Sequence, residues 1–114
     1  MANLFMCGGG TKEVVKISRL YLTPTAVTSG LTSNGSLTLD CSNATKLTIE
    51  SIASTYGTRN VTIVGDSITL ATYTGATSNL EFDVTEYNTI EIRMSCANTG
   101  GAYSGVSIVN LVME

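Results

Sequence analysis

The segment SLTLDCSNATKLTIE at positions 36–50 recurs in outline as NLEFDVTEYNTIEIR at positions 79–93. Overlaid, Leu37 falls on Leu80, Leu39 on Phe82, Asp40 on Asp83, Cys41 on Val84, Ser42 on Thr85, Leu47 on Ile90 and Ile49 on Ile92. Alternating apolar residues on both sides of a short polar corner describe two half-buried strands joined by a turn, because successive strand side chains point to opposite faces. In each copy an Asp leaves the apolar row, and a hydroxyl residue two positions on can satisfy turn amides. An apolar residue, Ala44 or Tyr87, then tucks under the corner. Asp40 and Asp83 are therefore expected to cap their turns. A calcium site is the alternative for them, although one carboxylate per turn supplies too few oxygens without help from loops.

The rest of the chain extends the pattern. KEVVKISRLYL at 12–22 alternates imperfectly and stops before Pro24, the only proline, as an edge strand does. In NVTIVGDSITLATY, Val61, Ile63, Ile68 and Leu70 flank Gly65 and Asp66, which predicts a hairpin with a Gly-Asp turn. VSIVNLVM at 106–113 is apolar on both alternations, as expected of a strand covered on both faces or facing a partner. No stretch carries helical periodicity. The expectation is an all-β fold, an antiparallel β-sandwich or jelly roll of about eight strands over residues 12–114, preceded by an N-terminal arm, residues 1–11. The three glycines of the arm cost backbone entropy to order. Leu4, Phe5 and Met6 within it are expected to dock on a neighbouring subunit rather than remain in water.

Composition narrows the function. The 114 residues carry a net charge of −3, with six basic side chains that do not cluster, which argues against nucleic acid. No apolar run is long enough to insert in a membrane. The sequence contains no histidine, which removes Ser-His and Cys-His dyads and the commonest general base. Asp40, Glu50, Asp66, Glu81, Asp83, Glu86 and Glu91 leave a paired-carboxylate enzyme formally open, but they fall at strand or turn positions where solvated carboxylates are the norm. No catalysis and no cofactor are expected. The three cysteines lack metal-ligand spacing; Cys41 and Cys96 read as buried apolar residues and Cys7 as a free, exposed thiol. Only 13% of residues are charged, so much of the surface is neutral hydroxyl and amide, a surface suited to packing against copies of itself. The Asn-x-Ser/Thr triplets at Asn34, Asn43 and Asn60 follow from a chain in which roughly a quarter of residues are Ser or Thr.

LTLDCSNATKLTI, VTIVGDSITL, LEFDVTEYNTIEI and the closing GVSIVNLVM, in that order over residues 36–113, resemble the galactose-binding-like jelly rolls that include many carbohydrate-binding modules. The resemblance implies a sugar groove with an aromatic and convergent amides. The chain has no Trp, so the candidates are Tyr56 and Tyr103, with Arg59 and Asn98 near them in sequence. The opening MANLFMCGGG and the Ser/Thr/Asn/Gly-rich β-chain look like small virion proteins of tailed bacteriophages. That likeness implies a structural or attachment protein of a tail fibre, baseplate or capsid surface, made in the bacterial cytoplasm without a signal peptide. Its partners would be copies of itself, other virion proteins and a host-surface glycan.

Overall fold

The computed structural model describes residues 14–54, 57–100 and 103–114. The expected arm, with Leu4, Phe5, Met6 and Cys7, lies outside the described residues, as does Tyr56. Eight strands run in order: β1 (Val15–Leu22), β2 (Thr32–Asp40), β3 (Lys46–Ser54), β4 (Thr58–Gly65), β5 (Ile68–Tyr73), β6 (Thr77–Asp83), β7 (Thr89–Ala97) and β8 (Val106–Met113). They form two four-stranded antiparallel sheets. Sheet 1 is ordered β1-β8-β3-β6 and sheet 2 is ordered β2-β7-β4-β5, the arrangement of an eight-stranded jelly roll. Leu47, Ile49 and Ile52 of β3 meet Ile90, Ile92 and Met94 of β7 in the core between the sheets, joined by Val61 and Ile63 of β4 and Ile108 and Leu111 of β8.

The sequence repeat is the pseudo-symmetry of this fold. The first corner carries the chain from sheet 2 to sheet 1 and the second carries it back. The two are joined reciprocally: Cys41 N–H donates to Asn88 O at 2.8 Å and Val84 N–H donates to Thr45 O at 2.9 Å, and Thr45 and Asn88 are equivalent positions of the repeat. Asp40 Oδ1 accepts from the Ser42 amide at 2.9 Å and hydroxyl at 2.7 Å. Asp83 Oδ1 accepts from the Thr85 amide at 2.9 Å and hydroxyl at 2.6 Å. Both Asp residues thus cap their turns.

A third carboxylate, Asp66, reaches from the β4–β5 hairpin to the second corner, accepting from the amides of Asn88 at 3.1 Å and Thr89 at 3.0 Å. The hairpin turn is centred one residue later than the sequence suggests. Its two central residues are Asp66 and Ser67, at φ 46° and 71°, the positive values of a type I′ turn. Gly65 belongs to the strand, where a Cβ would stand 2.9 Å from the Tyr87 ring.

Hydrogen bonds to the ionised form hold all three carboxyls below their ordinary pKa: for Asp40 and Asp83 chiefly the hydroxyl two residues on, for Asp66 chiefly the Thr89 amide. A carboxylate whose pKa is depressed by folding stabilises fully above its unfolded value, about 4, and loses that contribution as pH falls through the folded value. The midpoint of urea unfolding is expected to hold steady down to about pH 4 and to fall below it. Asp66→Asn should flatten that fall, and added calcium should leave the midpoint unchanged. A wild-type midpoint that rises strongly with calcium would make these corners metal sites.

Cys41 and Cys96 are 1% and 3% exposed and unpaired, at opposite ends of sheet 2. Burial, with Asp66 and Asp40 nearby, pushes the Cys41 thiol up, and its Sγ donates to Tyr87 O at 3.2 Å. Neither thiol is expected to react with a maleimide in the native protein, and both should react after unfolding, as read by intact mass.

Sheet 1 departs from simple alternation. In β1 the core-facing residues are Val15 and Ile17, then Leu20 and Leu22; in β8 they are Val106 and Ile108, then Leu111 and Met113. In β3 they are Leu47 and Ile49, then Ile52, and in β6 Leu80 and Phe82 face inward on one side of Asn79 while Thr77 is half-buried on the other. All four strands exchange faces along one transverse row, Ser18, Asn110, Glu50 and Asn79, where the ladder skips a pair without changing register. Asn110 and Asn79 stand at φ 51° and 56°, the left-handed region that Asn tolerates better than other residues with a side chain. Asn110 Nδ2 donates to Glu50 Oε1 at 2.7 Å within this row. The last strand is therefore two halves in opposite phase, which is why its sequence reads as apolar in both alternations; beside Val106 and Ile108 the outward Ser107 is buried as well, 7% exposed.

Candidate functional site

Sheet 2 alternates without such a switch along β2 and β7, and apart from Glu91 and Arg93 the solvent-facing residues of these two strands are short and mostly polar. Strand pairing sets them in rows. Ser95 of β7 lies between Asn34 of β2 and Asn60 of β4, and Arg93 lies between Ser36 and Thr62. These rows line an open trough of about 470 Å³ on the outer face of the sheet. A smaller extension of about 260 Å³ continues it past Thr32 and Thr58.

Asn60 Nδ2 donates to Ser95 Oγ at 3.5 Å, a long contact that leaves both amide and hydroxyl able to take other partners. Arg93 Nε and Nη2 both reach Glu91 Oε1 at 2.9 Å, so the guanidinium is held along its own strand. With the Arg93 side chain 56% exposed, its other N–H groups remain available to solvent. The trough offers neutral amides and hydroxyls around one fixed ion pair. That set can bind a polyhydroxylated or peptide-like surface through hydrogen bonds, and it contains no nucleophile paired with a base. Among the described residues no three His, Cys, Asp or Glu side chains come together as a metal site.

The loop residues singled out from sequence lie elsewhere. Arg59 and Asn98 are brought to one end of the sandwich, since Arg59 pairs with Cys96 two residues before Asn98. Asn98 is 1% exposed and staples two loops: its Nδ2 donates to Ala26 O at 2.6 Å and Thr28 O at 3.2 Å, and its Oδ1 accepts from Ser104 N–H at 2.8 Å. Its amide is spent on the protein's own backbone. Arg59 is half-buried and donates from Nη1 to Gly57 O. Tyr103 is 50% exposed beside this staple. None of the three lines the trough. The signal that points to the trough instead is the exposed row of β2, Thr32, Asn34, Ser36 and Thr38, four small polar residues in succession.

A second groove, about 410 Å³, lies on the outer face of sheet 1 over the row where the strands exchange faces, with Glu50, Asn79 and Asn110 in its lining. Among the described residues no helix is long and apolar enough to cross a membrane.

No family model and no curated protein matches this chain. Among solved structures it is similar to the VP2 subviral particle of infectious bursal disease virus, at 17% identity and a TM-score of 0.43, over 89% of this chain and 32% of that one. It is also similar to a carbohydrate-binding module, CBM36, in complex with calcium and xylotriose, at 18% identity and a TM-score of 0.35, over 90% of this chain and 88% of that one. The chain spans about a third of the length of the viral protein. The likeness is one of β-sandwich architecture, and nothing about the site rests on it.

Proposed function

We propose that this chain is a structural or attachment subunit of a bacteriophage-like particle, made in the bacterial cytoplasm and built into an assembly through contacts with copies of itself and other virion proteins. The observation that carries this reading is the state of sheet 1 at its two edges. Val15, Ile17 and Leu20 of β1, and Leu80 and Phe82 of β6, face the core yet stay only half-buried, because each lies at an edge with no further strand among the described residues to cover it. The charges exposed at these edges are opposite in sign, Lys16 and Arg19 on β1 and Glu81 and Asp83 on β6, so they favour rather than oppose association there.

Leu4, Phe5 and Met6 supply a further contact in this reading. Sedimentation of the full chain over a range of concentrations is expected to give a discrete multimer, and deletion of residues 1–10 to weaken it while leaving the melting curve of the sandwich unchanged. A protein that stays monomeric at every concentration would overturn the proposal.

The trough on sheet 2 favours a second reading, a carbohydrate-binding module. Its amides, hydroxyls and half-free guanidinium suit a neutral glycan, with or without assembly. Titration with soluble oligosaccharides, comparing the wild type with Asn60→Ala and Arg93→Ala, tests it. Binding that neither substitution weakens would place any glycan outside the trough.

A further inference from the structure

The edges of sheet 1 have an uncommon property. An ordinary edge strand keeps one face in phase along its length, so a newcomer can slide by two residues and still match it. β1 and β6 cannot be matched so loosely, because each changes phase once, at Ser18 and at Asn79. A partner strand fits either edge only if it also changes phase, and at the facing residue. β2, an edge of sheet 2, alternates without a switch and does not qualify. Two copies of β1 related by a two-fold axis clash with Ser18 opposite Ser18, where inward Ile17 would face outward Arg19; with Ser18 opposite Arg19 their faces match, but Lys16 then meets Tyr21 and no opposite charges are paired. Two copies of β6 behave in the same way, matching faces only with Ser78 opposite Asn79, where Glu81 meets Ala76 and no opposite charges are paired.

β1 against β6 matches every row and also sets opposite charges face to face. The geometry points to a second copy of this chain as the partner, its β1 adding antiparallel to β6 with Ser18 opposite Asn79. β1 already runs antiparallel to β6 within the subunit, so the contact continues sheet 1 in the same sense from one copy to the next. Ile17 then faces Leu80 on the core side, covering side chains that are half-buried in the single chain. On the solvent side Lys16 stands opposite Glu81, both exposed and of opposite charge. Arg19, stacked on Tyr21 at 5.0 Å, stands opposite Ser78. The contact is head-to-tail, so it generates a ring if the rotation between copies closes and a filament if it does not. The inference rests on the assembly reading above and specifies which surfaces meet and in what register.

Cysteine pairs read that register directly. In a Cys7→Ser background, Arg19→Cys with Ser78→Cys places the two thiols across the proposed contact. Within one subunit they stand at opposite edges of the sheet, about 14 Å apart by strand spacing and beyond disulfide reach. Mild oxidation is expected to give a ladder of disulfide-linked multimers on a denaturing gel. Tyr21→Cys with Ser78→Cys, two residues out of register, should give little. Lys16→Glu is expected to weaken association about tenfold, and Lys16→Glu with Glu81→Lys to restore it. An assembly that persists without the ladder and ignores both charge changes overturns this contact and leaves the structural reading standing. A monomer at all concentrations overturns both.

Discussion

Alanine at Ile108 or at Leu111 is expected to lower stability by about 2–5 kcal/mol each in equilibrium urea unfolding, and alanine at Val109 by under about 1 kcal/mol. Ile108 and Leu111 are both 0% exposed although they are three residues apart, whereas Val109 between them is only half-buried on the outer side of the sheet. A strand of uniform phase could not bury both, since odd and even positions face opposite ways. The size of each loss follows from the apolar volume removed and the cavity left between closely packed sheets. A large loss at Val109, matching that at Leu111, would put residues 107, 109 and 111 on one face and remove the switch at Asn110. The proposed contact between copies would fall with it.

Gly57→Ala is expected to cost about 3 kcal/mol or more, a large effect for adding one methyl group. Gly57 sits at φ 89°, and a Cβ there would fall 2.4 Å from Ala97 O and 2.5 Å from Ser104 Cβ. Neither neighbour can withdraw. Ala97 belongs to β7, and Ser104 is fixed by Asn98 through its amide and by Thr23, whose hydroxyl donates to Ser104 O at 2.7 Å. Gly75 provides the control, since nothing lies within 4 Å of its Cβ position, and Gly75→Ala should change stability by under about 1 kcal/mol. Thermal melts of the two variants compare them. Equal melting temperatures would mean that the loops at this end give way more readily than their hydrogen bonds suggest.

The strands and corners were legible because local pattern determines them. Leu37 and Leu39, and the DCS and DVT triplets, need only neighbouring residues to be understood, and the Asp caps are formed within their own turns. The face exchange of sheet 1 was not legible from any one strand. In β8 both alternations are apolar, and only Asn110, a residue suited to positive φ, marks where one gives way to the other. Four strands distant in sequence must switch at the same row for the register to survive. Gly65 reads as a turn residue because Gly-Asp resembles a hairpin signal, whereas the Tyr87 ring is what excludes a side chain there. The trough depends on β2 and β4 both pairing with β7, so Asn34 and Asn60 became neighbours of Ser95 only once the topology was known. Asn98 carries the right chemistry for a ligand, and backbone partners at Ala26, Thr28 and Ser104 have already taken it.

The order of strands in sheet 1 also constrains the order of events in folding. β8 lies between β1 and β3, pairing Val15 with Met113 on one side and Leu47 with Met113 on the other. A ribosome delivers β1 and β3 long before β8; β3 can pair with β6 in the meantime, but β1 has no neighbour in sheet 1 until residues 106–113 arrive. Sheet 2 is free of that delay, because β7 completes it. The nascent chain is thus expected to order β2, β7, β4 and β5 first and to close sheet 1 in one late step. Pairings this distant in sequence fold on a scale of milliseconds to seconds. During that interval the open gap between β1 and β3 is the region of the chain most in need of protection from its neighbours.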